Sequence, residues 1–271
     1  MTKALRMLES ELKSVDIVIY VLDSRAPKAC FSPAFEPIIS KRPVVYVLNK
    51  SDMVDGRDLD AVVKSLRAEG KIVVTSDSVQ KNDKEQVIKA LETVSQPIRD
   101  RYKAKGVEKT IRAMVIGVPN SGKSTLINSL IKTKKAVTGN KPGVTRGKQW
   151  VSVGKHLELL DSPGVTYPDF SDESKALSLA VIGSIKEDII DIAELGYEFL
   201  YLMQQKYPNA IKSRYGIEVE GRATLEVMED IGKARSIPKI RGEVDYERIA
   251  KILLVDFRKG YLGKLFLEDV Q

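Results

Sequence analysis

The sequence predicts a doubly wound α/β domain with a mostly parallel six-stranded sheet, followed by a smaller all-helical domain. Three observations carry this. Short β-branched apolar runs at 17–23, 44–49, 71–76 and 111–117 alternate with helical intervals, as strands buried on both faces do. Two further runs, 149–153 and 157–161, flank Gly154 and Lys155 and read as a hairpin. After Pro168 the strand signals stop and helical spacing takes over.

Apolar residues at helical spacing in 59–68, 84–94 and 124–131 supply the crossovers between strands. The stretch 97–106 is polar and charged, with Pro97 and Gly106 at its ends, and is expected to be a connector inside the first domain. Later helices are expected at 176–185, 189–205, 223–231 and 246–257. The expected division is 1–172 for the α/β domain and 173–271 for the helical one.

The 271 residues, 43% hydrophobic and 30% charged, suffice for a full core. The longest apolar runs, such as 17–22 and 44–48, fall far short of the ~20 residues a membrane helix needs. Residues 1–13 alternate charged and apolar side chains, so no secretory leader is expected there. A single cysteine, Cys30, and a single histidine, His156, allow neither an internal disulfide nor a Cys/His metal cluster. A reducing, cytoplasmic setting is expected, without membrane contact.

The net charge of +7 is unevenly spread. Residues 96–160 carry 14 basic side chains against 3 acidic, and 161–174 carry 4 acidic and none basic. Such a basic middle attracts polyanions, nucleotide or nucleic acid. The plainer alternative is a solvated surface at Lys103, Lys105 and Lys109 or Lys132, Lys134 and Lys135.

Gly117-Val-Pro-Asn-Ser-Gly122-Lys123-Ser124-Thr125 matches the phosphate-binding loop and sits after a strand and before a helix, where such a loop belongs. Its backbone N–H groups, Asn120 to Thr125 included, would face the phosphates, with Lys123 on the β and γ oxygens and Ser124 on Mg²⁺. Asn49-Lys50-Ser51-Asp52 ends a strand and names the base. Asp52 would accept from N1–H and N2–H₂ of guanine, donors that adenine lacks, while Asn49 braces the loop and the Lys50 stem covers the purine. Thr75-Ser76-Asp77-Ser78 ends the next strand, where a backbone N–H, best that of Asp77, would meet guanine O6. A Ser/Asp helix cap is the alternative there.

Asp161-Ser-Pro-Gly164 closes the hairpin and suits a sensor, Asp161 holding Mg²⁺ through water and the Gly164 N–H facing the γ-phosphate. Pro142 to Arg146 suits a first switch whose Thr145 joins Mg²⁺ only with GTP bound. In most GTPases the phosphate loop comes first; here positions 49–52 precede 117–125. The fold class is therefore a circularly permuted P-loop GTPase domain, with 97–106 joining the old termini.

The permuted order, Asp23-Ser-Arg25-Ala-Pro27, these motifs and the helical C-terminal part together resemble the YlqF/RbgA family of bacterial ribosome-assembly GTPases, over nearly the whole chain. The resemblance implies hydrolysis of GTP to GDP and phosphate, slow alone and stimulated by the large (50S) ribosomal subunit, with rRNA and ribosomal proteins as partners. Val165 stands where many GTPases place a water-orienting glutamine, and the family usually has an apolar residue there. Asn120 looks like the asparagine that helps bind K⁺ in related GTPases. Family members also carry a histidine in a Phe-Pro-Gly-His motif just before the segment resembling 1–4. It is absent here, so either the start lies further upstream or hydrolysis proceeds without it. No catalytic residue is assigned; the candidates are Asn120, Lys123, Thr145 and Gly164.

A metabolite kinase or ATPase would share the phosphate loop, but Asn49 to Asp52 argues against it. A GTP-gated rRNA-binding module with little hydrolysis is the other alternative. Residues 231–264, with 9 basic and 4 acidic side chains and Tyr246, Phe257 and Tyr261 interleaved, form a candidate RNA surface, though aromatics at such spacing more often belong to a core.

Overall fold

The computed structural model describes residues 3–77, 81–133, 150–161, 172–240 and 242–269. The chain opens with α1 (Lys3–Leu12), which sequence patterning did not single out, and β1 (Ile17–Asp23). Two single-turn helices, α2 (Pro27–Cys30) and α3 (Glu36–Ile39), lead to β2 (Val44–Asn49), α4 (Gly56–Ala68), β3 (Ile72–Ser76) and α5 (Lys81–Lys103). Then come β4 (Ile111–Ile116), α6 (Lys123–Thr133) and the hairpin β5 (Trp150–Val153) and β6 (Leu157–Asp161). The remainder is helical: α7 (Glu173–Val181), α8 (Ile192–Lys206), α9 (Pro208–Tyr215), α10 (Thr224–Ala234) and α11 (Tyr246–Arg258).

The six strands form one sheet in the order β3-β2-β1-β4-β6-β5, parallel except for the β5–β6 pair. Each strand alternates between two cores. Val18, Tyr20 and Leu22 of β1 face one, and Ile17, Ile19 and Val21 face the other, which α5 and α6 cover. The first core continues through α4 into α7, α8, α10 and α11 without a break. The helical segment therefore shares the core on that face of the sheet, with α7 against α2.

Residues 97–103 are not a connector. Pro97 lies inside α5, and only Ala104 to Thr110 links that helix to β4. The apolar stripe Val87, Ile88, Leu91, Val94, Ile98 runs past the proline onto the sheet, and this burial outweighs the missing N–H. Local caps hold elsewhere: Asp55, Asp191 and Asp245 each accept from backbone N–H groups in the first turn of α4, α8 and α11.

Helices α8 and α11 cross closely, with Gly196 against the Cα and Cβ of Ala250 and Phe199 edge-on to Phe257 at 5.0 Å. A methyl at Gly196 would overlap Ala250 and force the helices apart, costing about 1–3 kcal/mol. The gain in helix propensity, about 0.5–1 kcal/mol, is smaller. Gly196→Ala is thus expected to lower Tm by a few degrees, whereas Gly56→Ala, with open space around it, is expected to leave Tm unchanged or slightly raised. Thermal unfolding of both variants checks this; an unaltered Tm for Gly196→Ala would contradict the close crossing.

Candidate nucleotide-binding site

In a doubly wound sheet the carboxyl ends of the parallel strands form the binding crevice. Here that edge collects Asp23, Asn49, Ser76 and Gly117, from strands in direct register: Asp23 pairs with Asn49, and Asn49 with Ser76. Thr75 precedes Ser76 at the end of β3. Asp161 ends β6 opposite Val115, at the same edge.

The loop from β4 to α6 needs its glycines. Gly117 has φ 150° and a side chain there would strike the Val21 carbonyl of β1; Gly122 has φ 93° and a side chain there would strike the Asn49 amide. Asn120 takes the left-handed conformation, φ 60°. Lys123 folds back across the loop, its Nζ donating to Val118 O at 2.9 Å, and only 7% of the residue is exposed. The Ser121 hydroxyl donates to the same carbonyl at 3.0 Å. Ser124 and Thr125 follow in the first turn of α6, both exposed.

The loop after β2 meets this one directly. Asn49 Nδ2 donates to Ser121 O at 2.8 Å, and Lys50, left-handed at φ 59°, donates from Nζ to Asn120 O at 2.7 Å. Segments some 70 residues apart thus share one site, and the Asn49 side chain braces the phosphate loop. Asp52 stands in a 3₁₀ turn, Ser51–Met53. Partial desolvation and the neighbouring Asp77 carboxylate push its pKa above the ordinary value. The Asp77 N–H, expected to meet guanine O6, donates to Asp83 Oδ2 in the first turn of α5 at 2.7 Å. The Ser76 hydroxyl is buried with no hydrogen-bond partner among the described residues. Ser78, Thr145, Gly164 and Val165 lie outside the described residues.

Beneath the two loops is a network that sequence reasoning missed. Asp23 has no exposed surface, and its carboxylate accepts from Arg25 Nε and Nη2 at 2.9 and 2.7 Å and from Lys50 Nζ at 2.8 Å. Burial would push this carboxyl up, but the Arg25 and Lys50 cations outweigh it and hold the pKa at about 2. The available signal was an Asp and an Arg two residues apart, immediately after a wholly apolar strand.

The helical segment touches the same loops. Asn120 Nδ2 donates to Gly183 O at 2.5 Å and the Ser184 hydroxyl to Pro119 O at 2.7 Å. Arg258 binds the carbonyls of Val181 and Ala180 and the Glu187 carboxylate, so it ties α11 to the end of α7. Of the interleaved aromatics, Phe257 is core, Tyr246 donates to Glu229 and Tyr261 is 54% exposed. Past α11, Leu265 N–H reaches Met53 O and Leu267 N–H reaches Arg25 O, both at 2.9 Å, and Glu268 accepts from the N–H groups of Lys28 and Ala29. His156 stands at the opposite edge of the sheet, 3.6 Å from Glu108, remote from this chemistry.

Residues 112–205 match the family described as 50S ribosome-binding GTPase, a range that contains the phosphate loop and leaves 49–52 outside it, N-terminal, as a permuted order requires. The chain is 37% identical to ribosome biogenesis GTPase A of Bacillus licheniformis, covering 99% of this chain and 95% of that protein. It is 31% identical to mitochondrial ribosome-associated GTPase 1 of Bos taurus, covering 99% and 86%. The crystal structure of GNP-bound YlqF from T. maritima superposes with a TM-score of 0.72 at 26% identity, over 100% of this chain and 99% of that one. Shared sequence over nearly the full length and a shared fold leave one conclusion: the chain belongs to the YlqF/RbgA family of ribosome biogenesis GTPases.

Proposed function

We propose that the chain binds GTP at the strand edge described above, hydrolyses it to GDP and phosphate, and serves in the cytoplasm as an assembly factor for the large (50S) ribosomal subunit, contacting rRNA and ribosomal proteins. The observation that carries the nucleotide site is the direct bonding of Asn49 and Lys50 to the backbone of Ser121 and Asn120. It fixes a base-reading loop beside a phosphate-reading one. The names of the relatives support the ribosomal role, and no helix among the described residues is long and apolar enough to cross a membrane. In this reading residues 1–172 are the GTPase domain and 173–271 the helical domain that meets the ribosome.

Asp52 and Asp77 make an electronegative spot that suits the two N–H donors of guanine and repels an acceptor in their place. Asn49, Lys50, Asp52 and 75–78 form the base side; 120–125 and Gly164 form the phosphate side. Lys123 releases Val118 O to reach the β and γ oxygens. Ser124, Thr145 and Asp161 offer hard oxygen donors of the kind Mg²⁺ takes, and Mg²⁺ neutralises charge on the phosphates. With Nδ2 of Asn120 committed to Gly183 O, its Oδ1 is the atom for K⁺.

Turnover measured with and without the large subunit tests this proposal. The subunit is expected to raise kcat at least about tenfold, and Lys123→Ala to abolish both rates. GTP-dependent subunit binding without stimulation would instead favour a gated RNA-binding module, and no binding at all would overturn the ribosomal role. Exchanging K⁺ for Na⁺ is expected to slow hydrolysis; equal rates would remove Asn120 as an ion ligand.

A further inference from the structure

The motif Asp23-Ser-Arg25-Ala-Pro27 takes no part in the chemistry above, yet its ion pair is sealed in the protein, with 1% of the Arg25 side chain and 0% of the Asp23 side chain exposed. All three guanidinium nitrogens of Arg25 are engaged. Nε and Nη2 hold the two carboxylate oxygens of Asp23, Nη1 donates to Phe257 O of α11 at 3.3 Å, and the guanidinium carbon lies 4.5 Å from the centre of the Phe257 ring. The free side of Asp23 Oδ2 takes Lys50 Nζ, and that Nζ also reaches Asn120 O. One line of contacts therefore runs from the last helix through Phe257, Arg25, Asp23 and Lys50 to the phosphate loop.

We propose that Arg25 is a positioning residue for the guanine nucleotide, fixing Asp23 from behind so that Asp23 fixes the Lys50 ammonium, and tying that lysine's placement to the seating of α11. The proposal rests on the reading of 49–52 as the guanine-recognition loop. Lys50 needs such a fixture because its four-carbon stem is flexible and its charge has no directional preference. Arg25 holds the Asp23 carboxylate at three points, its backbone N–H and Nε on Oδ1 and Nη2 on Oδ2, and the lone pair left on Oδ2 is the one that meets Lys50 Nζ. A lysine at position 25 would keep the charge but lose the fork and the flat face against Phe257. The Phe257 ring sets the plane of the guanidinium, and Leu267 N–H on Arg25 O holds the backbone of the same residue. Arg25 touches neither base nor phosphate and acts only through Asp23 and Lys50.

The test is a double-mutant cycle on GDP affinity, measured by calorimetry on the full chain for wild type, Arg25→Lys, Lys50→Met and the pair, with Tm recorded for each. Arg25→Lys is expected to weaken GDP about tenfold in the wild-type background and by less than about threefold once Lys50 is Met, because the route to the nucleotide is already cut. Losses equal in both backgrounds would mean that Arg25 supports the fold alone, and the proposal would fall while the guanine reading stood. If Lys50→Met leaves GDP affinity unchanged, the reading of 49–52 falls and the proposal with it. Should Arg25→Lys not fold, Phe257→Leu, which removes the ring and keeps most of the apolar volume, is expected to show the same loss and the same non-additivity, and equal losses there would overturn the proposal.

Discussion

A carboxylate with no exposed surface at the end of a central strand must be neutralised, and the way Asp23 is neutralised organises this molecule's functional edge. An unpaired buried charge costs several kcal/mol, and removing one partner from a buried pair typically costs about 3–5 kcal/mol. Two cations answer. Arg25, two residues on, also bonds α11; Lys50, in the loop after the neighbouring strand, also bonds the phosphate loop. Well-packed apolar groups in place of such a network are often as stable or more so, so its contribution lies in geometry. It sets where the loop at 49–52 stands relative to the phosphate loop.

None of these contacts depends on chain order. β1 and β4 are parallel neighbours although the four helices α2 to α5 and two strands intervene in sequence. A permuted chain can thus rebuild the same edge, provided the joined ends are close, and Ala104 to Thr110 suffices once α5 has returned to the foot of β4. What permutation changes is the sequel to β6. The chain proceeds into α7, whose C-terminal turn places Gly183 and Ser184 against Asn120 and Pro119. The helical segment therefore rests on the phosphate loop by hydrogen bonds and on the sheet by a shared apolar core.

Most of the α/β architecture was legible because strands buried on both faces are nearly uninterrupted apolar runs, and β1, β2, β4 and β6 begin and end within a residue of where those runs do. The phosphate loop and 49–52 were legible as motifs because each is a fixed pattern of residue types at the end of a buried strand. Pro97 misled, since a local breaker was weighed without the stripe that continues to Ile98. The helix α9 was bracketed by Pro208 and a left-handed Gly216, both readable signals, but its eight residues carry little periodicity. The docking of Leu262, Leu265, Phe266 and Leu267 could not be read at all, because a segment without regular structure has no period to betray which face is buried. Which cation would pair with Asp23 was likewise a tertiary outcome.

The central claim is that a loop preceding the phosphate loop by some 70 residues reads guanine at the same site. Calorimetric titration of GTP, GDP and ATP with Mg²⁺ into the wild type and Asp52→Asn tests it most directly. The account predicts binding of the guanine nucleotides alone, weakened about tenfold to a hundredfold by the substitution, because the amide no longer accepts both base N–H donors. Equal affinity for ATP, or guanine binding indifferent to Asp52, would contradict it.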